Sequence, residues 1–497
     1  MKRIHALLAI GCGLLFVANT CFAQMYTITD LGVIPVDKSV DFFGDNSQAT
    51  GINESGQVVG ASMVKFHLFH AWRTAANRPI NPATDDLGTR VTDMYSEAAA
   101  INNSGRVAGT YAVAQFRSFR TAPNRRINPA TDDLGSLGIN SYSHAYSINA
   151  SGQVVGVEYI YDVDDGGYHA FRTAPNKRIN PATDELGTLA PSGHNSKGSG
   201  DTYAYGINDS GQAVGTSDIG INVPFGGTFH AFRTAGNSPI NRATDDLGTL
   251  GGTYSSASAI NNYGQVVGAS YLPGDTVNGI TIIHAFRTAS NSRINPATDD
   301  LGTIAGGWWT VPAAIDNYGQ VVGWSWINAE EAYHAFVYSN GVMQDLNNLV
   351  SPGICELIST ASGINDRGQI AANANCVGQG HAVRLDPVYK GFVQQPINVD
   401  GSSIFKAKRS VIPVKFRLTQ YGARTCDLLP ATISVTRVVV RSLIVVDENR
   451  YGGGTNFRIT GCQYHYNLAA SLLGVGNYRV GISINGIMVG HAVFALK

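Results

Sequence analysis

The chain repeats itself. A segment of the form Ile-Asn-x-x-Gly-Gln-Val-Val-Gly recurs with its first residue at Ile52, Ile101, Ile148, Ile207, Ile260, Ile315 and Ile364. A second segment, His-Ala-Phe-Arg-Thr, follows each copy and begins at His70, His169, His230, His284, His334 and His381, with a degenerate copy at Arg117. A third, Thr-Asp-Asp-Leu-Gly, supplies Asp86-Leu87, Asp133-Leu134, Glu185-Leu186, Asp246-Leu247, Asp300-Leu301 and a shortened Asp345-Leu346. The spacing of 47 to 59 residues is that of a supersecondary unit that buries its core only against copies of itself. Any local reading is therefore subordinate to the repeat.

The third segment is missing after His381, while Tyr26 to Gly32 is an orphan copy of it. A linear array needs polar caps at both ends, whereas a closed ring needs its first strand to complete its last unit. Each unit reads as four strands. The first is an alternating stretch such as 257–260, and the second is Gln-Val-Val-Gly, reached through a turn whose Asn and Gly tolerate positive φ. The aromatic His-Ala-Phe-Arg-Thr and then Asp-Leu-Gly complete the unit. The expected fold is all-β: a seven-bladed β-propeller over residues 24–388, closed by its N-terminal strand. From residue 389 the repeat is gone, and alternation over 410–418, 431–435 and 478–484 predicts a small β-sandwich over 389–497.

Composition agrees with short strands and tight turns: 57 of 497 residues are glycine and only 14% are charged. A net charge of -1 and the absence of a long basic run argue against nucleic acid and anionic lipid as partners. Residues 1–23 read as a signal peptide, with Lys2 and Arg3 before an apolar run from Ala6 to Ala18 and Cys21-Phe22-Ala23 at the cleavage site. That run is too short to span a bilayer, which takes about 20 residues. The expectation is a secreted monomer, periplasmic or extracellular, with no membrane span. In an oxidising compartment the remaining cysteines fall into two local pairs, Cys355–Cys376 and Cys426–Cys462, expected as disulfides.

With these motifs, residues 26 to about 386 resemble the bacterial extracellular HAF-repeat family, named for its His-Ala-Phe signature. The C-terminal stretch, with Lys406-Ala-Lys-Arg-Ser410-Val-Ile-Pro413-Val-Lys415-Phe416 and Gly490-His491-Ala-Val-Phe494, resembles an immunoglobulin-like module found at the ends of secreted bacterial proteins. Neither resemblance implies a defined reaction. Units 2 and 6 depart from the pattern at Arg117-Ser118 and at Val337-Tyr338 and Gln344.

A histidine placed once per unit at one offset reads as a hydrogen-bonding residue within the unit, not as a metal ligand. Arg73, Arg120, Arg172, Arg233 and Arg287 recur with Asp85, Asp132, Asp184, Asp245 and Asp299, which predicts cross-strand pairing inside each unit. Function is expected where the repeat breaks, on the loops joining second to third and fourth to first strands. Unit 6 stands out, with Trp308, Trp309, Trp324 and Trp326 followed by Glu330 and Glu331. Indoles stack on sugar rings and carboxylates bond hydroxyls, so these six residues form a candidate glycan site; the competing reading puts the tryptophans in the core between blades. Asp162, Asp164 and Asp165 resemble a calcium loop but lack its closing Glu. No G-x-S-x-G, H-E-x-x-H or P-loop is present, and no cofactor is expected. The leading expectation is a non-enzymatic binding protein that contacts an extracellular glycan or protein surface. The alternatives are a polysaccharide hydrolase or lyase using Glu330, Glu331, Asp164 or His194, and a structural envelope or matrix component.

Overall fold

The computed structural model describes residues 25–497 apart from 36–45, 66–67, 89–94, 113, 162–165, 192–199, 224–225, 278–279, 352, 399–400, 408–410, 427–428, 440–441 and 446–455. The expected signal peptide lies outside the described residues. Among the described residues no helix is long and apolar enough to cross a membrane.

Each repeat folds into its own antiparallel sheet. In unit 1 the strands Asn46–Ile52, Val58–Lys65 and Leu68–Arg73 lie side by side in that order. The turn between the first two is built by Asn53, whose Oδ1 accepts from the backbone N–H of Ser55 at 3.1 Å and of Gln57 at 3.0 Å. Gly56 in this turn has φ +80°, and a Cβ there would lie 2.1 Å from Oδ1 of Asn77. Any side chain would collide with the next hairpin, and the same collision recurs at Gly105, Gly152, Gly211 and Gly264.

The expectation of a seven-bladed β-propeller with four strands per blade, followed by one β-sandwich, is corrected by the sheets themselves. The described residues form separate sheets of three to five strands and no closed barrel. The first three units have only three strands, and their fourth segments touch the sheet through single bridges, Trp72–Asp86, Phe119–Asp133 and Phe171–Glu185. Asn81 caps a helical turn over Pro82–Asp85, with proline at its start, and Asn128 does the same for Pro129–Asp132. The same asparagine-capped turn at Asn241 and Asn295 in units 4 and 5 is followed by short fourth strands, Asp246–Gly248 and Asp300–Gly302. Unit 6 has an Asn340-Gly341 hairpin instead, with both residues at positive φ, and there the fourth strand runs over Val342–Asp345.

The units are joined by one repeated bond. Nδ2 of Asn53, Asn102, Asn149, Asn208 and Asn261 each donates to the backbone carbonyl of the equivalent residue in the following unit, at 3.0–3.1 Å. Asn365 of the last unit donates to Asn53 of the first at 2.9 Å. These amides are buried. The circuit lacks a single link, at Asp316, which stands where the other units have Asn; its Oδ2 is buried and bonded to nothing. Burial first, and the neighbouring Asp366 next, push this carboxyl well above its ordinary value.

The strand Tyr26–Gly32 pairs antiparallel with Gln379–Pro387, and Asp30 meets His381 Nδ1 at 2.9 Å. The same His–acid contact holds His70 to Asp86, His169 to Glu185, His230 to Asp246, His284 to Asp300 and His334 to Asp345, at 2.7–3.1 Å. In unit 2 Arg117 replaces the histidine, and its Nε lies 3.4 Å from Asp133. The repeated arginines do not form the expected ion pairs within a unit. Arg120 Nη1 donates instead to the carbonyls of Gly152 and Lys177 in the next unit, both at 3.0 Å. Asp132 turns back onto its own helical turn, accepting from Asn128 N at 2.8 Å and Thr131 Oγ1 at 3.0 Å. The donors one and four residues away lie within reach of the aspartate, so they capture it.

The C-terminal residues form two five-stranded sheets, one centred on Val411–Gln420 and Gln463–Ala469, the other on Gly476–Ile484 and Ile487–Leu496. Phe416 stacks on Tyr464 with ring centres 4.1 Å apart. Their core is continuous with that of the last units through Tyr26, Leu346 and Val388. Disulfides join Cys355 to Cys376 and Cys426 to Cys462.

Two measurements check this account. Asp316→Asn restores the missing link and raises the unfolding free energy at pH 7 by about 1 kcal/mol or more. The carboxyl is raised in the folded chain, so its cost sets in as pH rises above the ordinary value of 3.8 and is absent below it. The gain from Asp316→Asn therefore shrinks on acidification; an unchanged or lowered neutral stability contradicts the assignment. Replacing Cys426 and Cys462 together by Ser releases a cross-link spanning 36 residues and lowers denaturant stability by about 3–4 kcal/mol.

Candidate functional site

On a strand, residues two apart share a face. Tyr142, His144 and Tyr146 share one in Ser141–Ile148, and Tyr203 and Tyr205 share one in Thr202–Ile207. Strand register places Tyr142 opposite Tyr159, and Tyr159 opposite Tyr168, so three tyrosines stand abreast across unit 3. Ring centres are 5.2 Å apart for Tyr142–Tyr159, 4.9 Å for Tyr159–Tyr168 and 4.9 Å for Tyr168–Tyr203, which crosses into unit 4. Tyr203, Tyr205 and Tyr146 continue the run. Tyr146 and Tyr205 line a cavity of about 210 Å³ bordered by the first strands of all seven units. In the other direction His144, Phe116, Tyr95 and Phe69 extend it through unit 2 to unit 1. Most of these rings are half-buried, while Tyr161, packed edge-on against Tyr159, is 58% exposed.

All of this lies at the end of the units where second strands pass to third and fourth to first. The supports are specific to the site. In units 4, 5 and 6 a serine of the second strand, Ser217, Ser270 or Ser325, accepts from a backbone N–H of the incoming loop. Unit 3 has the fully buried Glu158 at that place, whose carboxylate accepts from Leu137 N and Gly138 N at 2.8–3.1 Å and fixes the loop leading to Tyr142. Asp201 accepts from Tyr168 N at 3.0 Å and so ties unit 4 to the middle of the tyrosine row. Burial raises the Tyr142, Tyr203 and Tyr205 hydroxyls above their ordinary values, so these rings are neutral donors at physiological pH.

Beside the row, a pocket of about 180 Å³ is lined by Tyr168, His169, Glu185, Thr188 and Asp201. His169 Nδ1 lies 2.8 Å from Glu185, and this hydrogen bond raises the imidazole and lowers the carboxyl. Burial raises Asp201.

The tryptophans of unit 6 sit at the same end. Trp309 donates from Nε1 to the Thr281 carbonyl at 2.8 Å and lies 6.2 Å from Trp326. Tyr333, 40% exposed, packs edge-on against Trp324 at 4.8 Å and Trp326 at 4.9 Å. Trp308 is 36% exposed. None of the four is buried; the fully buried indole is that of Trp72, which takes the phenylalanine place of unit 1. The core alternative for these tryptophans is thus not what the structure shows. Glu330 Oε2 lies 3.1 Å from His334 Nε2, and Glu331 is exposed at φ +50°. Asp162, Asp164, Asp165 and His194 lie outside the described residues. Asp30, Cys376 and His381 lie within metal-binding distance of one another, but Cys376 is in a disulfide and Asp30 and His381 bond each other.

The tyrosine row was missed in sequence although its signal is there: Tyr-x-His-x-Tyr at 142–146, Tyr-x-Tyr at 159–161 and at 203–205. The tryptophans of unit 6 crowd together in sequence, whereas the tyrosines are spread over four strands and cluster only through register.

No protein-family model matches this chain, and no curated protein matches it. Among solved structures, Sidekick-1 immunoglobulin domains 1-5 align at 8% identity over 95% of this chain and 99% of that one, with a TM-score of 0.12. At that score the alignment carries no argument about fold or function.

The His169–Glu185 pair contributes most stability between the ordinary values of 4.5 and 6.5. The histidine is raised, so its contribution is lost as pH climbs through the folded value; the glutamate is lowered, so its contribution is lost as pH falls through the folded value. In an NMR titration Glu185→Gln brings His169 back down toward 6.5; an unmoved titration rules out this pairing in solution.

Proposed function

We propose that this chain is a secreted, non-enzymatic binding protein that holds an extracellular glycan on its aromatic loop face. The observation that carries the reading is the row of Tyr142, Tyr159, Tyr168 and Tyr203, with successive ring centres 4.9–5.2 Å apart across two units. Partly exposed rings offer apolar faces to the C–H faces of sugars, and their hydroxyls can bond sugar oxygens. The unit 6 indoles, with Glu330 and Glu331, form a second contact at the same end. The disulfides agree with an oxidising compartment, as the signal-like start of the sequence does. The His-Ala-Phe repeat supports a scaffold role for the rest of the chain.

A hydrolytic reading has one observation in its favour. Asp201 is raised by burial and Glu185 is lowered by His169, and both line the pocket beside Tyr168. Carboxyls pushed apart in this way suit an acid and its partner.

Affinity electrophoresis in soluble polysaccharides separates the readings. Tyr159→Ala and Tyr203→Ala each weaken retention about tenfold, roughly 1.4 kcal/mol, and no shortened product accumulates. Retention unaffected by either variant defeats the binding site; product formation abolished by Asp201→Asn establishes the hydrolase.

A further inference from the structure

At the opposite end of the units, beneath the C-terminal sheets, lies a cavity of about 550 Å³. Among the described residues its walls hold two arginines and no carboxylate. Arg287 belongs to the repeat and donates to the Gly319 carbonyl, and its guanidinium lies over the Tyr338 ring at 5.2 Å. Arg479 comes from the C-terminal sheet. It is only 4% exposed, sits over the rings of Tyr263 and Tyr318 at 4.9 and 4.8 Å, and donates from Nη1 to the Asn317 carbonyl at 2.8 Å. Its Nη2 is buried with no partner. The hydroxyls of Ser339, Thr432, Ser434 and Thr436 line the same space.

A buried guanidinium with an unused donor, in a cavity with no carboxylate among its described lining residues, is costly unless an anion occupies it. Asp299, whose charge reaches Arg287, is bonded within its own turn to Asn295 N and Thr298 Oγ1. Asp316, whose charge reaches both arginines, spends one oxygen on the N–H groups of Tyr318 and Gln320 at 2.8 Å and is disfavoured as an anion by burial. They compensate neither arginine fully. We propose that this cavity binds a small oxyanion, a carboxylate or phosphate on a molecule with hydroxyl groups, held by Arg479 and Arg287 between the repeat units and the C-terminal sheets. The planar guanidinium fork suits either oxyanion, and the surrounding hydroxyls suit the rest of a sugar-sized ligand. The cavity volume admits a molecule of that size. The site is independent of the aromatic face.

The test is calorimetry and thermal melting on the full chain with galacturonate, inorganic phosphate and neutral galactose. Galacturonate or phosphate binds and raises the melting temperature, galactose does not, and whichever anion binds more tightly identifies the source of the oxyanion. Arg479→Gln weakens binding at least about tenfold. Arg479 also anchors the C-terminal sheets, so Ser434→Leu, which fills the cavity without touching the arginine, is the second variant. It abolishes binding while leaving the melting temperature of the anion-free protein within a few degrees. If neither anion binds the wild type at about 100 times a micromolar-range Kd, or if Ser434→Leu binds as the wild type does, the proposal is overturned.

Discussion

One buried amide, repeated in six of the seven units, organises this molecule. A carboxamide both donates and accepts, and the seam asparagine uses both ends: Oδ1 gathers the N–H groups of its own turn, while Nδ2 reaches the carbonyl of the next unit. Folding a turn and joining it to its neighbour are therefore a single act. Aspartate lacks the donor and serine lacks the reach. The price of a mismatch is visible at Asp316, where the turn still forms but the link to Asn365 is gone. Other repeated residues reinforce the joint. Gln57 bonds Asn124 across it, Gln153 bonds Asn237, and Arg120 grips two carbonyls of the following unit.

Because these bonds gather at one end of the units, the opposite end is released from the repeat. Loops there differ in length and sequence without disturbing the seam, and in units 3 to 6 a side chain of the second strand holds the incoming loop. Serine suffices in units 4, 5 and 6, and the longer Glu158 serves in unit 3. Aromatic residues gathered at that end are held by strand register rather than by loop packing. Rigid placement of this kind lowers the ordering cost of binding.

The repeat, the role of its histidines and both disulfides were legible in the sequence because each rests on local pattern or on simple counting. The propeller expectation did not survive: the described residues form separate small antiparallel sheets. Asp-Leu-Gly looks like a strand by alternation, but over three residues alternation says nothing about how much of the ladder forms: it pairs at Asp246–Gly248 and Asp300–Gly302 and makes only a single bridge in each of the first three units. The Arg–Asp pairs failed for a related reason: equal recurrence of two charges says nothing about which N–H groups lie closer to the acid. The placement of the four tryptophans outside the core and the assembly of the tyrosines depend on where strands end and which residues stand opposite. Register carries that information, and a single strand does not contain it.

The strand Tyr26–Gly32 has a consequence for synthesis. Its partner, Gln379–Pro387, is made some 350 residues later, so the sheet of the last unit contains both the earliest and almost the latest parts of the repeat. Tyr26 faces Pro387 across 361 positions. Contacts of that separation are slow to form because the intervening chain must first be brought together. A growing chain can therefore assemble the first six units in order, but it cannot join its ends until the seventh has been released. Completion of the fold is in effect a check that the whole repeat has been made.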